Sequence, residues 1–411
     1  MNFSSLHHRA LAALVVEENL RVHEEHLHVA PADVAQVSTV LQYADAQGLT
    51  VIPTGGGTKL GWGNYVEPQL ALDMHRMNAV REHAWQDMTC TVQAGCTWVA
   101  MQNALAQHGQ CVALDTLWPD RASVGGVIAT NDSGALRLKY GGLRDLIIGM
   151  TVVLADGTIA KTGGKVVKNV AGYDLHKLMT GAFGTLGVIA EVNFRLHPIE
   201  RSLQTWSIMA SDAFSLDKPL RALLDSQLAP VSAQIRCSPR EAMLDVRLAT
   251  SEGQRQSQQF ELESIAAGFP LALTEDDVWH EREQLAADGD VPEAERAVLK
   301  ISLPHDELCN FLARVQHIPP EISARAVAQA HGLVLLALHG GPNVLARMIR
   351  TLRAEIAELG GSAFLQSMPA ELRESMEPWG EPPASIALMR EIKKQFDPKR
   401  TLNPGRFMGG I

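Results

Sequence analysis

Residues 115–134 combine two adjacent glycines, Gly125 and Gly126, with a proline and several small polar residues inside an otherwise apolar run. A backbone of this composition can closely approach a flat, phosphate-bearing ligand because few side chains stand in the way. Two further glycine clusters lie within residues 53–60 and 181–189. Each of the three loops lies beside a β-like run. Three such loops indicate a binding site for one extended cofactor rather than for one small anion.

The bulk composition describes a soluble globular protein with more than one core. A chain of 411 residues exceeds the usual size of a single domain, so two domains are expected. Hydrophobic residues make up 46% and charged residues 20%, which is enough apolar material for a large core. The formal net charge of −10 argues against nucleic-acid binding, since phosphate recognition needs a basic surface.

The five cysteines are scattered and include no Cys-x-x-Cys pair. This spacing excludes an iron–sulfur cluster or a structural zinc site held by this chain alone, and it favours a reduced compartment. The apolar stretch 11–16 is too short for a transmembrane helix and is followed at once by Glu17 and Glu18. We therefore expect a cytoplasmic protein that lies at the inner membrane at most peripherally.

Helix and strand patterns alternate through the first half of the chain. Apolar residues recur at helical spacing from Val34 to Ala44, and Asp156-Gly157 is a strong hairpin signal. The patterns predict strands at 49–53, 89–93, 150–155, 158–162 and 188–196, and a helix at 98–108.

Beyond residue 200 the glycine loops disappear and charged segments dominate. Residues 251–263, 276–297 and 347–359 are expected to be helical or solvent-exposed, and a last helix ends at Asp397-Pro398. The chain is thus expected to be α+β, with domains at 1–199 and 200–383 and a C-terminal helix and tail at 384–411.

Residues 53–60 (PTGGGTKL) permit two interpretations. Consecutive glycines let successive N–H groups converge on phosphate oxygens, which indicates a pyrophosphate cradle, but the same residues would serve a simple strand-to-loop turn. The loop lacks a Gly-x-Gly-x-x-Gly opening a helix, and Lys59 does not follow Walker spacing. Neither a Rossmann nor a P-loop assignment fits.

A family resemblance makes the first interpretation specific. Residues 53–60, 122–134, 184–189 and 396–405 occur in the order and spacing typical of the vanillyl-alcohol-oxidase, or PCMH-type, FAD-binding flavoproteins. Residues 140–145 and 152–157 are similar as well. The resemblance implies a PCMH-type FAD-binding domain of two α+β subdomains, followed by a smaller α+β cap domain on the substrate side.

The resemblance also implies which residues bind FAD. The first loop would wrap the pyrophosphate, the second would line the ribityl and diphosphate region, the third would contact the adenine side through its backbone, and the tail would approach the isoalloxazine. The implied cofactor-binding residues are Thr54, Gly55, Gly56, Gly57, Thr58, Lys59, Leu60, Pro119, Ser123, Gly125, Gly126, Ala129, Asn131, Gly134, Gly187, Val188, Ile189 and Asn403. By itself Asn131 would be interpreted as a turn residue.

Non-covalent FAD is expected. Family members tethered through histidine carry it in the first glycine loop, where this chain has Thr58 and Lys59. Members tethered through cysteine carry it near the second loop, and here no cysteine lies between Cys111 and Cys237.

Related 2-hydroxy-acid dehydrogenases carry a metal-binding His-Gly-Asp-Gly-Asn-Leu-His segment, where this chain has His339-Gly-Gly-Pro-Asn-Val-Leu345. One histidine cannot build that site, so no metal is expected. We interpret His339 as a structural histidine at the end of a strand. Arg144 and His176 are better candidates near the ring system, although Arg144 would also fit a local salt bridge with Asp145. No catalytic residue is assigned.

Within the family, the short length and residues 165–178 (KVVKNVAGYDLHKL) are most similar to the FAD-binding E subunits of bacterial glycolate oxidases. This implies oxidation of glycolate to glyoxylate in a complex with a larger FAD-containing catalytic subunit and an iron–sulfur subunit. The alternatives are an autonomous FAD-dependent 2-hydroxy-acid dehydrogenase, for example of D-lactate, and a non-catalytic flavoprotein subunit.

Overall fold

A computed structural model of the chain describes residues 3–15, 17–23, 26–164, 174–287 and 292–411. The strands in these ranges are β1 (Leu20–His23), β2 (His26–Val29), β3 (Val51–Thr54), β4 (Leu70–Asp73), β5 (Val80–Ala84), β6 (Thr89–Gln93), β7 (Gln110–Cys111), β8 (Ile147–Val153), β9 (Ile159–Gly163), β10 (Val188–Arg195), β11 (His197–Pro198), β12 (Leu203–Ala210), β13 (Ser232–Cys237), β14 (Ala242–Ala249), β15 (Leu271–Thr274), β16 (Arg296–Ser302), β17 (Ser323–Gln329), β18 (Leu333–His339) and β19 (Ser362–Ser367). The helices are α1 (Phe3–Val15), α2 (Val34–Gln47), α3 (Trp98–Ala106), α4 (Val124–Thr130), α5 (Arg137–Tyr140), α6 (Leu143–Leu146), α7 (His176–Met179), α8 (Asp217–Asp225), α9 (Arg255–Ala266), α10 (Glu281–Ala287), α11 (Leu308–Gln316), α12 (Pro342–Glu358) and α13 (Ile386–Phe396).

The chain forms two compact α+β units. The first contains Met1–Ser133, Gly141–Ile199 and Glu381–Ile411, and the second contains Gly134–Tyr140 and Glu200–Gly380. Most of the predicted motif at 165–178 lies outside the described residues, which begin again at residue 174.

The first unit is built on two main sheets. One has the strand order β1-β2-β4-β3, with β2, β4 and β3 parallel, and the other is antiparallel with the order β5-β6-β10-β8-β9. Helix α2 covers the first sheet; the Asp33 side chain caps its N-terminus, and Gly48, with a φ of 66°, ends it. The helix from Val34 to Gly48, the strands at 89–93 and 188–196 and the Asp156-Gly157 hairpin are confirmed.

The second unit is one antiparallel sheet of the order β15-β12-β14-β13-β17-β18-β16-β19. Alternate strand residues point to opposite faces, so Leu299 and Leu336 join the large core with helices α8, α9, α11 and α12, while Val298 and Leu335 pack with α10.

Two boundaries in the second unit differ from those predicted. The charged segment 276–297 does contain helix α10, but Arg296 and Ala297 begin strand β16, where Ala297 is fully buried. The helix predicted at 347–359 begins earlier, at Pro342, because proline is well accommodated in the first helical turn. The last helix ends at Phe396, as predicted.

Two further findings bear on the sequence analysis. In the part of the chain that the structure describes, we find no helix with the length and apolarity that a membrane crossing requires. No disulfide joins the five cysteines, all of which are described.

Candidate functional site

The first unit contains a groove of about 810 Å³, a volume that includes the solvent at its open mouth. It is lined by the glycine loops that the sequence singles out, together with helix α4 and the C-terminal tail. The predicted cofactor-binding residues on the groove are Thr54, Gly55, Gly56, Gly57, Thr58, Lys59, Leu60, Ser123, Gly125, Gly126, Ala129, Gly187, Val188, Ile189 and Asn403. The fold thus brings together residues that are up to about 350 positions apart in the chain.

The first glycine loop, residues 55–58, follows strand β3 directly. No described residue accepts a hydrogen bond from the four backbone N–H groups of this loop. The loop packs tightly on residues 121–123: a Cβ on Gly56 would lie 1.7 Å from the Arg121 carbonyl oxygen. Successive N–H groups without a protein acceptor form an anion-binding cradle, so the loop is suited to a phosphate.

Lys59 also borders the groove, but its ammonium group is engaged elsewhere. Its Nζ lies 3.3 Å from Asp132 Oδ2 and 3.3 Å from the Leu117 carbonyl oxygen. The ammonium group also lies over the rings of Trp62 and Trp118, 5.7 and 5.5 Å from their centroids. The Lys59 side chain therefore ties the first loop to the second.

Helix α4 occupies the second glycine motif. Ser123 caps its N-terminus, with Oγ accepting from the Gly126 N–H at 3.3 Å. Gly125 packs closely on the preceding strand region, since its N–H donates to the Ala94 carbonyl at 2.8 Å. The helix ends at Asn131, which has the left-handed φ of 48° that asparagine tolerates.

Three of the predicted cofactor residues are not among the residues that line the groove. Pro119 accepts a hydrogen bond from the Val99 N–H, Asn131 is the C-cap of α4, and Gly134 belongs to the second unit. Arg144 and His176 are also absent from the lining; Arg144 donates to the Thr180 carbonyl at 3.3 Å and His176 is buried. Burial lowers the pKa of His176.

The third loop and the C-terminal tail meet at the groove. The Phe183 N–H donates to the Ala129 carbonyl at 2.9 Å, and Asn403 Nδ2 donates to the Phe183 carbonyl at 2.7 Å. The backbone N–H of Asn403 donates to the Val51 carbonyl, next to the first loop. Asn403 Oδ1 is buried and has no hydrogen-bond partner among the described residues. A buried acceptor of this kind is costly unless a ligand or water satisfies it.

Arg406 is a groove residue that the sequence analysis missed. Its Nη2 donates to the carbonyl oxygens of Lys59, Leu60 and Trp62 at 3.2, 2.8 and 3.3 Å, so the tail holds the end of the first loop. Burial lowers the pKa of Arg406 to about 10, which leaves a cation at the groove at neutral pH. The other lining residues that were not predicted are Pro53, Met74, Ala94, Thr130, Met179, Ala182, Phe183 and Gly184.

In the second unit, the segment His339–Leu345 runs from the end of strand β18 into helix α12. His339 ends strand β18, as expected, and helix α12 begins at Pro342, with Gly341 as its N-cap. Leu345, at the position of the family's second metal-binding histidine, is fully buried in the core. Among the described residues, no group of three or more histidine, cysteine or acidic side chains is arranged to hold a metal ion.

Two family models match the chain. An FAD binding domain matches residues 26–163, which contain the first two glycine loops, and the C-terminal domain of FAD linked oxidases matches residues 377–407, which contain Asn403 and Arg406. Both matches fall on segments that build the groove.

Known proteins are similar over nearly the whole chain. Glycolate oxidase subunit GlcD of Bacillus subtilis is 25% identical over 92% of this chain and 88% of its own length. D-lactate dehydrogenase of Archaeoglobus fulgidus is 27% identical over 94% of this chain and 92% of its own. Among solved structures, p-cresol methylhydroxylase superposes with a TM-score of 0.76 at 15% identity, covering 98% of this chain and 96% of that one. The chain therefore contains an FAD binding domain and the C-terminal domain of FAD linked oxidases, and it shares its fold with p-cresol methylhydroxylase.

Proposed function

We propose that this protein binds FAD non-covalently in the groove of the first unit and takes part in the oxidation of a 2-hydroxy acid, with glycolate as the substrate. The observation that supports the chemistry most directly is its similarity, over more than nine-tenths of its length, to a glycolate oxidase subunit and a D-lactate dehydrogenase. When bound, FAD would supply the acceptor for the two electrons released as the alcohol carbon becomes a carbonyl.

The groove residues fit the cofactor. The backbone N–H groups of residues 55–58 offer hydrogen bonds to a pyrophosphate, and Arg406 places a positive charge at the same groove. Asn403 Oδ1 offers an acceptor to an N–H donor such as that of a flavin ring. The remaining predicted contacts, from Pro119, Asn131 and Gly134, stay predictions.

Non-covalent binding is supported by the kinds of side chain on the groove. The lining residues within the described chain include no histidine, cysteine or tyrosine, the side chains that could tether a flavin. Precipitation of the purified holoprotein with trichloroacetic acid should therefore leave the flavin in the supernatant. Flavin that stays with the pellet would overturn this part of the proposal.

We further propose that the protein acts as the FAD-binding subunit of a glycolate oxidase complex and passes electrons to a partner. The partners would be a larger FAD-containing catalytic subunit and an iron–sulfur subunit. The loss of the second histidine at Leu345 supports a subunit over an autonomous enzyme, because the metal site of autonomous relatives is incomplete here.

Anaerobic flavin reduction tests these proposals. The full chain is purified alone and after co-expression with the candidate partner subunits, and the absorbance near 450 nm is followed after glycolate or D-lactate is added. Reduction by glycolate only in the complex is the expected result. Rapid reduction of the lone chain would show an autonomous dehydrogenase. Reduction in the complex that accounts only for the flavin of the larger subunit would show a non-catalytic subunit, and a folded chain that binds no FAD would overturn the proposal.

A further inference from the structure

Helix α13 buries one charged side chain, Lys393, between the third glycine loop and the C-terminal tail. Its ammonium group donates to Asp397 Oδ2 at 2.6 Å, to the Thr185 carbonyl at 2.7 Å and to the Leu402 carbonyl at 2.8 Å. The Lys393 and Asp397 side chains are 6% and 0% exposed, so water does not compete for these bonds. Such a buried pair is strongly destabilising when one partner is lost, because the other charge remains uncompensated.

Asp397 completes the network from the other side. Its Oδ1 accepts from the Thr401 N–H at 2.8 Å and its Oδ2 from the Leu402 N–H at 2.7 Å. The carboxylate therefore fixes the turn that leads from α13 into the tail. Both charged groups are satisfied entirely by hydrogen bonds within the first unit, as a buried pair requires.

This network determines where the groove residues of the tail lie. Thr401 and Asn403, on either side of Leu402, both pair with Val51 of β3. The Val51 N–H donates to the Thr401 carbonyl at 2.7 Å, and the Asn403 N–H donates to the Val51 carbonyl at 2.9 Å. Lys393 holds the third loop through Thr185, two residues after Phe183, the residue whose carbonyl binds Asn403. Lys393 and Asp397 themselves are not among the residues that line the groove.

We infer that Lys393 and Asp397 are positioning residues for the cofactor: they lock the tail to the third loop and so present Asn403 and Arg406 to the groove. The inference rests on the proposed function, since it assumes that the groove binds FAD. Because FAD would contact the docked tail and not an undocked one, FAD binding and tail docking should reinforce each other.

The test compares FAD affinity among matched variants of the full chain. Apoprotein is prepared by flavin removal, and the dissociation constant is measured by titration with FAD fluorescence. We expect Lys393→Met and Asp397→Asn to weaken FAD binding at least tenfold, and Lys394→Met, which changes the exposed neighbour on the same helix, to leave it unchanged. If a single variant fails to fold, the double variant Lys393→Met with Asp397→Asn takes its place: it leaves no uncompensated charge, keeps an acceptor oxygen at position 397, and should weaken FAD binding at least tenfold as well.

A second readout uses the unaltered protein. Amide hydrogen exchange at Thr401 and Leu402 should slow at least fivefold when FAD binds. In the folded variants without FAD, exchange at the same amides should be faster than in the unaltered apoprotein. Folded variants that bind FAD as tightly as the unaltered chain would overturn the inference, and so would exchange at Thr401 and Leu402 that FAD does not slow. Failure of the unaltered chain to bind FAD at all would instead overturn the proposed function.

Discussion

Asn403 and Phe183, which are 220 positions apart, are joined by a 2.7 Å hydrogen bond from the Asn403 side-chain amide to the Phe183 carbonyl. Both residues line the groove, and both have left-handed backbone conformations, with φ values of 42° and 54°. A wall of the groove is therefore closed by a contact between the third glycine loop and the C-terminal tail. Neither segment can take up this arrangement alone.

Two replacements of Asn403 should distinguish the stability that its hydrogen bond contributes from the cost of its positive φ. Asn403→Ala loses the bond and puts alanine, which tolerates a positive φ less well than asparagine does, at this position, so we expect it to lower the free energy of unfolding by about 2 kcal/mol. Asn403→Gly loses the same bond without the strain and should cost about 1 kcal/mol. Both variants should bind FAD about tenfold more weakly in a fluorescence titration. An Asn403→Gly variant with unchanged FAD affinity would show that the side chain has no role at the cofactor.

Gly56 should be intolerant of any side chain. A Cβ at this position would lie 1.7 Å from the Arg121 carbonyl oxygen, a backbone atom that cannot move aside cheaply. We expect Gly56→Ala to displace the first loop and abolish the flavin absorbance of the purified protein. The matched control is Gly61→Ala, where a Cβ meets nothing within 4 Å. Equal flavin content in the two variants would contradict the assignment of the loop as the phosphate cradle.

The glycine loops could be predicted from sequence because their information is local. Glycine spacing and neighbouring apolar runs identify turns at strand ends, and loops with those properties do line the groove. Lys59 was placed at the cofactor by the family resemblance; it lines the groove, and its ammonium group lies against Asp132, Trp62 and Trp118. That outcome depends on segments that only the tertiary fold brings together, so no pattern around residue 59 could reveal it.

Arg406 and Lys393 illustrate the same limit at the C-terminus. Arg406 lies three residues after Asn403, and in sequence it is an ordinary charged residue of a polar tail. Lys393 lies between Ile392 and Lys394 on the last helix, and it is the residue of α13 that is buried. A long basic side chain is interpreted as exposed unless its buried acceptors are known, and here the acceptors are carbonyl groups of distant loops.

The contributions of Lys59 and Asp132 to the free energy of unfolding should depend strongly on each other. The two side chains are 4% and 3% exposed, and Asp132 also accepts from Thr116 Oγ1 and the Leu117 N–H. Lys59→Met leaves a buried carboxylate without its cation, so we expect a loss of about 3–5 kcal/mol in urea unfolding of the apoprotein. Asp132→Asn in the same chain should recover a substantial part of that loss, because the neutral amide needs no counterion. Strictly additive costs in this double-mutant cycle would mean that the charges do not interact.

His331 should make the second unit sensitive to acid. Its ring nitrogens are buried without hydrogen-bond partners in the described chain, and burial, reinforced by the positive charges of Arg137 and Arg282, lowers its pKa from 6.5 to about 4. As the pH falls below 6.5 the unfolded chain takes up a proton that the folded chain does not, so the stability is full above that pH and declines towards pH 4. The whole shift corresponds to about 3 kcal/mol.

His331→Gln removes this titration and should flatten the decline between pH 6.5 and 4, measured as the change in urea midpoint with pH. Some slope will remain, because burial also lowers the pKa of His176. The exposed His305 provides the control, and His305→Gln should follow the unaltered protein across the range. If His331→Gln loses stability with acid as steeply as the control does, then His331 is not the group whose protonation opposes folding, and the acid response belongs to other residues.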